Sequence, residues 1–112
     1  MPYSVVIPAH NSEETLAACL DGLFDQTMPR DAYEILVVDD GSRDATRAVA
    51  EARGVRVLTQ ANLGAAAARN LGARAARGEI VLFIDADCVP ETNWMEAMTA
   101  PFTDAAIVGA GE

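Results

Sequence analysis

The sequence predicts an α/β fold, a mostly parallel sheet with flanking helices. Three observations predict it. Short β-branched and apolar runs alternate with stretches of helical periodicity along the 112 residues, and such alternation builds βαβ units. Residues 80–84, Ile80-Val81-Leu82-Phe83-Ile84, are continuously apolar, as expected of a strand covered on both faces. Polar clusters stand where strands should end, at residues 8–13, 39–46 and 85–87. That edge of an open α/β sheet is where ligands bind.

Residues 3–8 read as a short strand ended by Pro8. Residues 12–26 read as a helix, with Leu16, Leu20, Leu23 and Phe24 on one face. Asn11 is its expected N-cap and Glu14 the capping-box partner. Residues 34–39 form a second strand. Asp40-Gly41-Ser42 is a turn, Ser42 should cap a helix over residues 43–53, and Gly54 should end it. Residues 55–59 form a third strand. Asn62-Leu63-Gly64 leads into an alanine-rich helix over residues 65–77, closed by Gly78. The fourth strand is residues 80–84. Pro90 suits the first turn of a helix running to Thr99, with Trp94, Met95 and Met98 inward. Residues 105–108 read as a fifth strand. No helix follows to cover that side, which predicts a truncated domain, or a partner that completes it. An unfinished apolar face would also invite self-association.

Composition narrows the chemistry. Seventeen acids against eight bases give a net charge of −9, which argues against a nucleic-acid surface or a polybasic membrane-binding segment. All the bases are arginine, so no Walker A lysine and no Schiff-base lysine exists. Cys19 and Cys88 make a poor disulfide framework, so free thiols in a reducing, cytoplasmic setting are expected. The charged start of a signal peptide is lacking. So is any stretch near the ~18 apolar residues of a membrane span. Membrane association would need an anchor in a longer parent chain.

Four constellations carry the chemistry. Residues 8–13, Pro8-Ala9-His10-Asn11-Ser12-Glu13, read either as a helix start or as a loop whose free backbone groups hold a planar base. Asp39 and Asp40 are adjacent at a strand end, so only one can face a given pocket. The other should serve turns and backbone amides. Asp44 suits the first turn of the following helix. In the third group, Arg69 and Arg74 lie about 140° apart around their helix. Arg69, nearer the end favourable to anions, is assigned to a phosphate, while Arg74 and Arg77 are left to solvent. The fourth is Asp85-Ala86-Asp87. Strand alternation would point both carboxylates the same way. Two such groups repel unless a cation joins them, and a divalent metal holding a phosphate is the usual answer.

Taken together, these residues resemble the nucleotide-sugar-binding half of family 2 glycosyltransferases, which have the GT-A (Rossmann-like) fold. The resemblance rests on residues 5–13, 37–46, 62–64 with 68–72, and 83–87 in that order. It implies a glycosyltransferase donor domain over residues 1–112, binding a nucleoside-diphosphate sugar, typically a UDP-sugar. It implies nucleotide-sugar contacts from Pro8, Ala9, Glu13, Asp39, Asp40, Arg69 and Asp85. Asp40 would accept from the base imide, Arg69 would approach the diphosphate and Asp85 would lie near the ribose. Asp87, with Asp85, would bind Mg²⁺ or Mn²⁺. His10 departs from the family, whose members usually carry tyrosine there. The resemblance also implies an acceptor-binding part outside this chain. That part would supply the aspartate that deprotonates the hydroxyl of a glycan, lipid or protein acceptor for inverting transfer.

Two rivals share some of these features. A receiver-type signalling module also has an Asp-Asp pair at a strand end, but carries it after the first strand and needs a lysine. A nucleotidyltransferase would need a glycine-rich, basic loop after the first strand.

Overall fold

The computed structural model describes residues 2–102. Four strands form one sheet: β1 (Tyr3–Ala9), β2 (Tyr33–Asp40), β3 (Arg56–Gln60) and β4 (Ile80–Phe83). Four helices accompany them: α1 (Leu16–Phe24), α2 (Thr46–Ala52), α3 (Ala65–Ala75) and α4 (Trp94–Thr99). Short 3-10 turns occupy Arg30–Ala32 and Ala100–Phe102. The sheet order is β3-β2-β1-β4, and every pairing is parallel. The expected fold class is therefore observed. The expected strand at residues 105–108 lies outside the described residues.

The pleat sorts side chains to two faces. Val5 and Ile7 of β1 and Ile35 and Val37 of β2 pack with Leu16, Cys19, Leu20 and Leu23 of α1, Ala50 of α2 and Met95 of α4. Val6 and Val38 point the other way, onto Ala68 of α3. All eight residues of β2 are buried, which fits an interior strand covered on both sides.

Three element readings need correction. β4, expected to be buried on both faces, is an edge strand among the described residues, and Phe83 is 41% exposed. An apolar run cannot show which strand lies at the edge. Helix α4 begins at Trp94, beyond Pro90, and buries Met95 and Thr99 while Met98 is exposed. Phe24 is likewise exposed, and Cys19 takes a place on the inner face of α1.

Small residues set how closely α3 approaches. Ala68 and Gly72, one turn apart, are its buried positions. A Cβ on Gly72 would lie 2.3 Å from Cγ1 of Val6. Below α3, Glu34 ties the chain back to the sheet. It accepts from the Ser4 hydroxyl and the Arg77 amide, both at 2.6 Å, and lies 3.6 Å from Arg56.

Candidate functional site

The strand order places the site. β1 leads through α1 to β2 on one side, while β3 crosses over through α3 to β4 on the other. The connections diverge at β1 and β4, leaving a crevice beyond their carboxyl ends. Pro8 and Ala9 lie at one lip, and residues 85–87 at the other.

The loops after β1 and β2 are stitched together by side chains. Asn11, at φ 49°, donates its backbone N–H to the Ser42 hydroxyl at 2.8 Å and accepts the Arg43 N–H on Oδ1 at 2.9 Å. Thr46, fully buried, accepts the Ser12 N–H at 2.7 Å. Asp44 accepts the Thr46 N–H at 2.9 Å and the Glu13 N–H at 3.2 Å. The Thr46 hydrogen bonds, which outweigh burial, hold the Asp44 carboxyl below its ordinary value. The expected caps are therefore corrected. Asn11 and Ser42 tie the two loops to each other; α1 starts at Leu16 and α2 at Thr46, neither with a side-chain cap. Asp44 lies before α2 rather than in its first turn.

Alternation along β2 separates its two terminal aspartates. Asp39 accepts the Ser42 N–H at 3.1 Å. Asp40 turns towards α3 and accepts from Gln60 Nε2 at 2.9 Å, the Leu63 N–H at 2.6 Å and the Gly64 N–H at 3.0 Å. Burial pushes the Asp40 carboxyl up, but these bonds outweigh it and the net shift is downward. The group is thus an ionised acceptor. A carboxylate offers about four acceptor sites, so one remains for a ligand. Asp40 lines a cavity of about 90 Å³ with Pro8, Ala9, His10, Ala65 and Ala68. His10 Nδ1 lies 2.8 Å from the Asp40 carbonyl oxygen.

A larger cavity, about 470 Å³, runs from Pro8, Asn11 and Ser12 across Ala65 and Arg69 to Asp85, Ala86 and Asp87. A neighbouring one of about 260 Å³ shares Pro8, Arg69 and Asp85 and adds Phe83, Cys88 and Trp94. Arg69 is exposed and makes no ion pair among the described residues. The Ile84 N–H still bonds Val6, then the Cys88 N–H closes a turn on the Asp85 carbonyl at 3.0 Å. A turn thus follows the strand end, and burial still alternates through it. Ile84 and Ala86 are buried, while Asp85, Asp87 and Cys88 are exposed.

Ligand atoms of Asp85, Asp87 and Cys88 all lie within 4.8 Å of one another. Two exposed carboxylates suit a hard divalent cation, which takes one or two such oxygens and keeps water and phosphate oxygens elsewhere. Desolvation and the Asp87 and Asp85 carboxylates push the Cys88 thiol up. A hard ion prefers the carboxylate oxygens to the sulfur. Cys19 is buried, its thiol pushed up to about 12 chiefly by desolvation.

The structure thus gathers Pro8, Ala9 and Asp40 around one cavity, and Pro8, Arg69, Asp85 and Asp87 around another. Glu13 and Asp39 line neither. Glu13 is exposed with its amide held by Asp44, and Asp39 closes its own turn. Arg74 and Arg77 are exposed, as expected. His10, Gln60 and Cys88 have no site role in the sequence reading. Parity with Pro8 could have flagged His10, and adjacency to Asp87 could have flagged Cys88. Gln60 meets Asp40 only through strand pairing.

Comparison with known proteins bears on the family and the fold. The model of a family described as "Glycosyl transferase family 2" matches residues 4–111. Glycosyltransferase AglE of Haloferax volcanii is 37% identical over 99 residues, covering 83% of this chain and 33% of AglE. The crystal structure of Staphylococcus aureus TarS in complex with UDP-GlcNAc superposes with a TM-score of 0.81 at 29% identity, covering 92% of this chain and 31% of that one. Glucosyl-3-phosphoglycerate synthase of Mycobacterium tuberculosis, solved with Mn²⁺, UDP and glucosyl-3-phosphoglycerate, superposes at 0.77 with 31% identity, covering 89% and 39%. The chain spans about a third of the length of these proteins.

Proposed function

Because the chain belongs to glycosyl transferase family 2, we propose that residues 1–112 are the donor-binding portion of a glycosyltransferase that takes a UDP-sugar with Mg²⁺ or Mn²⁺ for inverting transfer to an acceptor hydroxyl. The observation that carries this reading is the joining of Pro8, Arg69, Asp85 and Asp87 around one cavity at the switch point, beside the cavity of Asp40. Solved relatives with UDP, UDP-GlcNAc and Mn²⁺ support it.

In this reading the uracil ring lies against Pro8 and Ala9, and the free acceptor site of Asp40 takes its imide N–H. Arg69 pairs with the diphosphate, a charge-assisted contact that a lone guanidinium is suited to make. Asp85 serves the ribose, and Asp87, with Asp85, would hold the metal. A bound divalent cation supplies Lewis-acid neutralisation of the leaving diphosphate. Glu13 and Asp39 act indirectly, by holding the loops that carry Pro8 and Asp40. The base that activates the acceptor belongs to the part outside this chain. Free Cys19 and Cys88 suit a cytoplasmic setting, and no helix among the described residues is long and apolar enough to cross a membrane.

Calorimetry with UDP tests this. Binding should strengthen at least about tenfold on adding Mn²⁺, and Asp87→Ala should remove that increment. Asp40→Asn should weaken UDP about tenfold or more, the scale of one hydrogen bond to a charged group. A folded chain that binds no UDP at millimolar concentration with Mn²⁺ present would overturn the proposal.

A further inference from the structure

The carboxylate expected to meet the nucleobase is itself held by a neutral side chain. Gln60 ends β3 and stands across from Asp40 in the parallel register of β2 and β3. Its Nε2 donates to Asp40 Oδ1 at 2.9 Å and to the Gly64 carbonyl at 3.3 Å. Both partners are acceptors, so the amide meets them with nitrogen; the flipped amide would set oxygen against oxygen. The Leu63 N–H fills the second site on Oδ1 at 2.6 Å, and the Gly64 N–H takes one site on Oδ2 at 3.0 Å. The two oxygens are thereby made unequal. Oδ1 is saturated, and the acceptor site that remains lies on Oδ2. Gln60 does not line the cavity of about 90 Å³ that Asp40 shares with Pro8, Ala9 and His10. Any effect it has on a ligand there passes through Asp40.

We propose that Gln60 is a positioning residue that sets base specificity, its amide saturating Asp40 Oδ1 so that Oδ2 alone is presented to a nucleobase carrying an imide N–H. The proposal rests on the reading of Asp40 as the acceptor for the base. UDP and CDP share ribose and diphosphate and differ in the ring, where N3 is a donor in uracil and an acceptor in cytosine. An ionised Asp40 therefore favours UDP, whereas a protonated one would donate to cytosine instead. Burial raises the Asp40 carboxyl, and the Gln60 bond is the foremost of the hydrogen bonds that outweigh it. Among the described residues, the other groups facing Asp40 are the neutral Leu63 and Gly64 before α3, the uncharged Ala65 and Ala68 of α3, and His10 after β1. His10 titrates, but its Nδ1 meets the Asp40 backbone carbonyl at 2.8 Å, not the carboxylate. Asp39 turns to the other face of β2 and holds the Ser42 N–H.

The experiment is calorimetry of UDP and of CDP, each with Mn²⁺, from pH 7 down to pH 4. It compares the full wild-type chain with Gln60→Met, Asp40→Asn and the double variant. Methionine keeps the length of glutamine and removes the donor. The diphosphate and the metal are common to both nucleotides, so the ratio of affinities isolates the base. The wild type should prefer UDP, and Gln60→Met should lower that preference about three- to tenfold, the scale of one net hydrogen bond. The acid limb of UDP binding should move to higher pH, because Asp40 loses a donor that favours its ionised form. Carbon-13 resonance of the Asp40 carboxyl in the free chain should titrate higher in the same variant. A residue that only held the fold would weaken UDP and CDP alike and leave the pH profile in place. With Asp40→Asn already present, Gln60→Met should change the preference by less than about twofold, as expected of two residues acting as one unit. An unchanged preference in folded Gln60→Met, an Asp40 titration that does not move, or an equal effect with and without Asp40 would overturn the role of Gln60 and leave the donor site standing. A wild type that binds both nucleotides without preference, or neither, would instead count against Asp40 as the acceptor for the base, and this proposal would fall with it.

Discussion

Thr46 shows how much of this crevice depends on residues that touch no ligand. Its hydroxyl accepts from the Ser12 amide and donates to Asp44, and the side chain is fully buried. Replacing it with valine keeps the shape and removes the hydroxyl. A buried donor left unsatisfied costs about 1–3 kcal/mol. Thr46→Val should therefore lower stability by that amount in urea denaturation, and the Ser12 and Glu13 amides should exchange faster with solvent. Unchanged exchange at Ser12 would refute the stitching role. The same residues explain what the sequence hid. Asn11, Ser42 and Asp44 have the chemistry of helix caps, and local spacing suggested that use. Their partners lie 31 or 32 residues away across two parallel strands, beyond the reach of a local rule. The Asp85–Asp87 pair was legible because both carboxylates are functional groups in one short segment.

At the scale of elements, strands were read more reliably than helix ends. Continuous β-branched runs mark β1 and β2 whatever their neighbours, but burial depends on position in the sheet, which the apolar run of β4 does not show. Helix α3 offers a sharper test of packing. In an exposed helix, replacing glycine with alanine gains about 1 kcal/mol. At Gly72 the new Cβ would stand 2.3 Å from Val6 and 3.2 Å from Val38, and overpacking typically costs about 1–3 kcal/mol. The two terms oppose each other and the clash should win, because both neighbours are core residues of interior strands. Gly72→Ala should thus destabilise the chain on thermal or urea unfolding. A gain in stability would mean that α3 is free to move off the sheet. Such movement should also lower UDP affinity, since Arg69 and Ala65 ride on the same helix.

At the scale of the whole molecule, β2 anchors both ends of α3 through carboxylates on one face of the strand. Asp40, at the carboxyl end, holds the Leu63 and Gly64 amides that lead into α3. Glu34, at the other end, holds the Arg77 amide just after it and lies beside Arg56. Burial pushes both groups up, yet their hydrogen bonds and neighbouring positive charge bring both below the ordinary values of 4.5 for Glu34 and 3.8 for Asp40. The unfolded chain therefore takes up protons at a pH where the folded chain still refuses them. The stability these groups supply is complete above those ordinary values and is lost as pH falls through the lower folded ones. Acid should accordingly release α3 at both ends. Urea midpoints measured from pH 7 down to pH 3 should fall more steeply in the wild type than in Glu34→Gln, which starts less stable but has one proton fewer to gain. Amide exchange should show the order of events, with Leu63, Gly64 and Arg77 losing protection before the β1–β2 ladder does. Equal slopes in the two proteins would remove Glu34 from the account and leave acid sensitivity to the crevice end of the strand.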